Sequence, residues 1–264
     1  MSIKMGKIER YINEELERKG ALFFMFLDPV DYKTPDDAVR MGASVVKDGA
    51  DVLLIGGSTS AQGELLDYVA KRVKEKIDDV PVVLFPGNIA TVTKHADAIY
   101  FMSLLNARNP YWMIQAQMLS APVIRSLGIE ALPVGYIVVS PGGTVGWVGD
   151  VNLVPREKPK IAAALALAGE YIGNRFIVTD TGSNPQLQGA GHVPLEMVRA
   201  VKSAISVPYI VGGGIRDVES VRQVIRSGAD AIQVGTAIEE SKNLTKLFAG
   251  ATKEEGAKKL KHGK

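Results

Sequence analysis

Short apolar runs alternate with segments of helical periodicity along almost the whole chain. The runs are Ala21–Leu27, Asp51–Gly56, Pro81–Phe85, Ala98–Met102, Pro133–Val139, Arg175–Thr179, Pro208–Val211 and Asp230–Val234. Their near-continuous apolar character predicts strands covered on both faces, as parallel strands are. Between them, Pro35–Asp48, Gln62–Ile77, Pro110–Leu127, Lys158–Tyr171, Pro194–Ile205 and Asp217–Ser227 carry apolar residues at helical spacing. Several have proline in the first turn and glycine soon after the last, the usual punctuation of helices. Eight strands alternating with helices predict an α/β fold, a (β/α)8 TIM barrel.

One connection departs from that plan. Pro86 to Asp97 offers only about twelve residues, the lower limit for a crossover with its own helix. A regular third helix is therefore not expected. The opposite case is the long, glycine-rich loop Ser140 to Asp150, which reads either as a lid over the barrel mouth or as a surface loop.

Length and composition fit this picture. The chain has 264 residues, enough for one barrel over residues 1–250 followed by a basic tail, 251–264. Lys253, Lys258, Lys259, Lys261 and Lys264 of the tail are partly offset by Glu254 and Glu255, the composition of a solvated or frayed end. No run approaches the roughly 20 apolar residues of a membrane span. Met1 to Lys19 has helical spacing and lacks a signal-peptide apolar region. A soluble, cytoplasmic protein is expected. The absence of cysteine excludes disulfides and thiolate chemistry, and a net charge of +2 does not suggest a nucleic-acid partner.

In such barrels chemistry sits at the C-terminal strand ends. The last two strands open into Val211-Gly212-Gly213-Gly214-Ile215-Arg216 and Val234-Gly235-Thr236-Ala237. Glycines there uncover backbone N–H groups that can hold a phosphate. Strand one ends at Asp28 and strand two at Gly56-Gly57-Ser58, an acid and a hydroxyl able to share a hard cation such as Mg²⁺. The Asp28-Pro29 pair alone also reads as a turn. Asp180, within Val178 to Asn184, either faces a polyol phosphate or caps its loop as an Asx turn. His95 and His192 have no metal-ligand spacing and read as structural. No nucleophile elbow, Walker lysine or dinucleotide fingerprint is present.

Taken together, Phe26-Leu27-Asp28-Pro29, Ile55-Gly56-Gly57-Ser58, Leu84 to Asn88, Ser103-Leu104-Leu105-Asn106-Ala107-Arg108-Asn109-Pro110, Val211 to Arg216 and Val234 to Ile238 resemble the geranylgeranylglyceryl phosphate synthase family, in order along most of the chain. The block Ser103 to Pro110 and the pair Leu27-Asp28-Pro29 with Gly56-Gly57-Ser58 are the more specific parts. The resemblance implies a modified barrel whose third helix is replaced by an extended segment. It also implies a prenyltransferase joining sn-glycerol 1-phosphate to geranylgeranyl diphosphate, with Mg²⁺ at Asp28 and Ser58. Glycerol phosphate would lie along Val178, Thr179, Asp180, Thr181, Gly182, Ser183 and Asn184, its phosphate on Gly213, Gly214, Gly235 and Thr236. Asp180 would orient or deprotonate the acceptor hydroxyl, and Arg108 would assist at the diphosphate. Tyr100, Phe101, Tyr111 and Trp112 are available either for a prenyl channel or for core and interface packing. A homo-oligomer with transient membrane-surface contact is also implied. In the family segment Tyr-Leu-Glu-Ala-Gly-Ser-Gly, this chain has Val178 for the tyrosine, Asp180 for the glutamate and Asn184 for the last glycine. Rival readings are a longer, heptaprenyl donor, a phosphosugar isomerase or lyase, and a non-catalytic phosphate-binding barrel.

Overall fold

The computed structural model describes residues 5–59 and 61–262. Ser60 and the ends of the expected barrel and tail, 1–4 and 263–264, lie outside the described residues. The strands are β1 (Leu22–Leu27), β2 (Val52–Gly57), β3 (Val82–Pro86), β4 (Ala98–Leu104), β5 (Glu130–Val138), β6 (Phe176–Asp180), β7 (Tyr209–Gly212) and β8 (Ala231–Val234). They pair in chain order, all parallel, and β8 returns to β1 from Leu22↔Ala231 to Met25↔Val234, closing the barrel.

Side-chain alternation divides the core in two. Leu22, Phe24, Leu54, Val83, Tyr100, Val134, Phe176, Val178, Ile210 and Ala231 fill the interior. Their neighbours, such as Phe23, Met25, Leu53, Ile177 and Ile232, pack outward with helix residues Val39, Val45, Leu66, Val69 and Val201. Both faces are dry, which is why the strands read as continuous apolar runs.

The helices are α1 (Lys7–Lys19), α2 (Pro35–Lys47), α3 (Gly63–Lys74), α4 (Ala116–Leu127), α5 (Gly143–Val148), α6 (Pro159–Tyr171), α7 (Leu195–Ala204), α8 (Val218–Arg226), α9 (Thr236–Glu240) and α10 (Leu244–His262). Thr34 and Asp217 cap α2 and α8 by accepting the Asp37 and Ser220 amides at 3.2 and 2.7 Å. Helix α1 closes the N-terminal end of the barrel. Its Ile8 and Ile12 join the interior cluster, and the Ile8 and Glu9 amides donate to the Glu130 carboxylate at 2.7 and 2.9 Å. The opposite mouth, where the strands end, stays available for a site. Among the described residues no helix is long and apolar enough to cross a membrane.

Residues 87–97 contain no helix, as their shortness predicts. The segment is anchored by Asp97, whose carboxylate accepts from Lys74 Nζ and from the Val82 amide at 2.8 Å. The helix expected from Pro110 begins instead with a π turn, Tyr111–Gln115, before α4. The Gln117 amide donates to the carbonyls of Met102 and Trp112, binding that turn to β4.

The C-terminal segment differs from its expectation. Residues 251–262 do not fray; they complete α10, because Phe248, Ala251, Thr252 and Glu255 form a buried stripe at helical spacing beneath the lysines. Glu255 is 3% exposed and accepts from Arg222 at 3.0 Å, Arg226 at 2.8 Å and Lys258 at 2.8 Å. The Arg226 guanidinium, helped by Lys258 and Arg222, holds its carboxyl down to about 2. A depressed carboxylate contributes stability above its unfolded pKa, and that contribution fades as pH falls through the folded one. Glu255→Gln is expected to lower stability by about 1–2 kcal/mol at neutral pH, allowing for the solvent around the partner cations. Thermal melts should show the deficit shrinking between about pH 4.5 and 2. A deficit unchanged at pH 2 would place the cause in packing rather than charge.

Candidate active site

Two cavities open side by side at the C-terminal ends of the strands. The first is lined by Asp180, Gly182, Ser183, Asn184, Gly213, Gly214, Arg216, Gln233, Gly235 and Thr236. The second is apolar, walled by Ile99, Tyr100, Phe101, Met102, Trp112, Ile124 and Val148. They share Ser58, Gly87, Met102, Tyr136 and Val145, so they meet. Phe85 lines the polar cavity, edge-on to Phe26 at 5.3 Å and to Tyr100 of the apolar cavity at 5.5 Å.

Strand alternation decides which residues of Val178 to Asn184 reach the first cavity. Asp180 ends β6 on the inward face, above Phe176 and Val178, and is 6% exposed. Its Oδ1 accepts the Gly182 amide at 2.6 Å. Burial pushes its carboxyl above the ordinary carboxylate range, and the Gly182 N–H and the Tyr136 hydroxyl offset part of that rise. Both readings of Asp180 therefore hold at once: it caps the Gly182 turn and it faces the cavity. Val178, Thr179 and Thr181 do not line the cavity, contrary to the expectation for the whole segment. Val178 is sealed inside the barrel, Thr179 points outward with Oγ1 2.6 Å from the Tyr209 hydroxyl, and Thr181 is fully buried.

Gly213 and Gly214 have φ of 76° and 69°, the left-handed region in which glycine is unstrained. A methyl group at Gly213 would overlap the Asp180 carboxylate and Thr181, so glycine lets the two loops close on one another. Asn184 takes the same hand at φ 50°, which asparagine tolerates better than most residues. Arg216 is turned to Asn184 and pairs with Glu240.

Asp28 caps the short turn Pro29–Asp31, accepting the Val30 amide at 3.2 Å, and lines neither cavity itself. Its carboxylate rests on Gly57, where a side chain would overlap it, and Gly57 precedes Ser58 at the junction. Burial, with Asp31 nearby, pushes the Asp28 carboxyl up to about 6. Burial and the neighbouring Asp31 push Glu239 of α9 up to about 7. No cation among the described residues offsets either shift. Hard oxygen donors with uncompensated negative charge suit Mg²⁺. Among the described residues no three His, Cys, Asp or Glu side chains form a metal cage. An ion at Asp28 and Ser58 would complete its shell with water and ligand phosphate, the usual habit of Mg²⁺.

Other candidates fall elsewhere. Arg108 lines neither cavity; it reaches Asp150 at 3.7 Å and Asn152 at 3.4 Å. Tyr100, Phe101 and Trp112 wall the apolar cavity, while Tyr111 stands behind, edge-on to Trp112 at 5.0 Å. The loop after β5 folds into α5, and its Val145 faces both cavities. The His192 imidazole sits 2.8 Å from the Val193 carbonyl in a local contact. Tyr136 and Gln233 also line the polar cavity and were not among the candidates the sequence offers. Tyr136 is masked by an apolar strand. Gln233, a lone amide in the apolar run Ala231–Val234, was a readable signal.

The model of the PcrB family matches residues 13–251. Geranylgeranylglyceryl phosphate synthase of Pyrococcus abyssi is 50% identical over 243 residues, 92% of this chain and 94% of its own. The enzyme of the same name from Methanothermobacter marburgensis is 49% identical over 240 residues, 90% of this chain and 94% of its own. The crystal structure of (S)-3-O-geranylgeranylglyceryl phosphate synthase from Thermoplasma acidophilum, in complex with substrate sn-glycerol-1-phosphate, superposes with a TM-score of 0.86 at 34% identity, over 95% of this chain and all of that one. With its closed barrel, missing third helix and paired glycine loops, this chain belongs to the PcrB family, alongside these geranylgeranylglyceryl phosphate synthases.

Proposed function

We propose that the protein joins the C3 hydroxyl of sn-glycerol 1-phosphate to C1 of geranylgeranyl diphosphate, releasing diphosphate, the first ether bond of archaeal membrane lipids. The observation that carries this reading is the meeting of an apolar cavity with a glycine-walled polar one at Ser58, Met102 and Tyr136. A prenyl tail fits the first and a glycerol phosphate the second, so the allylic carbon and the hydroxyl face each other at the junction. Holding both partners in that geometry removes much of the entropic part of the barrier.

As the allylic C–O bond breaks, positive charge spreads over the prenyl carbons and negative charge leaves with the diphosphate. Mg²⁺, held by Asp28 and Ser58, would neutralise that departing charge. The Gly213, Gly214, Gly235 and Thr236 backbone anchors the acceptor phosphate. Asp180 accepts the C3 hydroxyl proton as the new ether bond forms; burial makes it a stronger base than a solvated aspartate. The aromatic rings of Phe26 and Phe85, which line the polar cavity, offer no competing nucleophile there.

An oligomer or membrane contact would cover the exposed apolar side chains Ile114 of the π turn and Met118, Leu119 and Val123 of α4, whose inner face walls the apolar cavity. The test of function is direct. Protein, Mg²⁺, glycerol 1-phosphate and a mixture of prenyl diphosphates of several lengths should yield a butanol-extractable phosphorylated ether, chiefly of the geranylgeranyl chain. A longer product would favour the heptaprenyl reading. Phosphate binding without any ether would sink the prenyltransferase reading and leave the isomerase or lyase and the non-catalytic barrel.

A further inference from the structure

Strand β8 is buried at every position, and alternation turns Ala231 and Gln233 into the barrel while Ile232 and Val234 face the helices. Gln233 is thus the one strongly polar side chain that β8 sends inward. It is 5% exposed, and its Oε1 is sealed from solvent with no hydrogen-bond partner among the described residues. A buried amide left unpaired is unfavourable, and folded proteins rarely keep one without use. Gln233 lines the polar cavity. Its Nε2 and the Asp180 carboxylate both lie over Gly212, where the absence of a side chain leaves them room.

Resting on the proposed reaction, we infer that Gln233 is a specificity-determining residue that reads the C2 hydroxyl of the acceptor while Asp180 takes the C3 hydroxyl. The terminal torsion of an amide is soft, so a turn about it lets Gln233 present its donor or its acceptor end to a hydroxyl in the cavity. The phosphate, held by the glycine loops, is not its target. Gln233 and Asp180 over one glycine give the cavity two adjacent polar groups for two adjacent hydroxyls, so the pair fixes which oxygen faces the prenyl carbon.

The test compares glycerol 1-phosphate with 3-hydroxypropyl phosphate, which lacks only the C2 hydroxyl, in wild type and Q233M. Methionine keeps the length and removes the amide. Wild type should favour glycerol 1-phosphate by about tenfold in kcat/KM, and Q233M should erase that preference while KM for the prenyl diphosphate stays unchanged. In calorimetry Q233M should bind glycerol 1-phosphate about tenfold more weakly and inorganic phosphate as before. Q233L, a second apolar replacement, should behave alike, and the melting temperatures of both should not fall, since an unpartnered amide is removed. Equal loss of inorganic phosphate binding, or a preference for the C2 hydroxyl that survives both substitutions, would overturn the assignment. Failure of wild type to prefer glycerol 1-phosphate over inorganic phosphate would instead sink the proposed reaction, and this assignment with it.

Discussion

Asp180→Asn should cut turnover about a thousandfold while leaving glycerol phosphate affinity within a few-fold of wild type, the size of effect typical of removing a positioned general base. The amide has the same shape, can still accept the Gly182 N–H and can still meet the Tyr136 hydroxyl, so the turn after β6 should persist. What it loses is the ability to take a proton. Steady-state kinetics set against calorimetric binding of glycerol 1-phosphate separate the two roles. Parallel loss of turnover and affinity would reduce Asp180 to the cap of its turn.

Asp28→Ala is expected to abolish Mg²⁺-dependent turnover, with at least a hundredfold fall, because the charge on a departing diphosphate would lose its counterweight. The fold should survive. Loss of the cap on the turn Pro29–Asp31 costs about 1 kcal/mol, but Asp28 is a desolvated carboxylate beside Asp31, and removing it relieves that repulsion. Magnesium titrations of activity, paired with thermal melts, check both halves. A variant that keeps its magnesium response would remove Asp28 from the metal site, and one that melts far below wild type would make it structural.

The barrel was legible in the chain because parallel strands covered on both faces leave unbroken apolar runs, and each of the eight runs became a strand. The missing third helix was legible for a simpler reason: Pro86 to Asp97 has too little chain for a crossover helix. The tail was misread because the lysines of 251–264 dominate its composition, whereas the residues that set its structure, Ala251, Thr252 and Glu255, matter through their spacing and through Arg222 and Arg226 on a distant helix. Within Val178 to Asn184, a contiguous motif suggested contiguous contacts. A strand can present only alternate residues to one side, so Asp180 reaches the cavity and Thr179 turns to Tyr209.

The sequence by itself determined the family, the closed barrel and the residues gathered at one mouth, since glycines at strand ends, Asp28, Ser58 and Asp180 are local signals tied to local geometry. Only the tertiary structure decided where those residues stand relative to one another. It joined an apolar and a polar cavity at Ser58 and Tyr136, set the Tyr136 hydroxyl against Asp180, and brought Gln233 over the same glycine as Asp180. The reason is that parallel pairing sets β5 to β8 side by side and closure through β8 and β1 carries the end of β2 round to face them, although their residues lie far apart in the chain. Burial and hydrogen bonding, which set a carboxylate's basicity and leave an amide unpartnered, exist only once those strands meet.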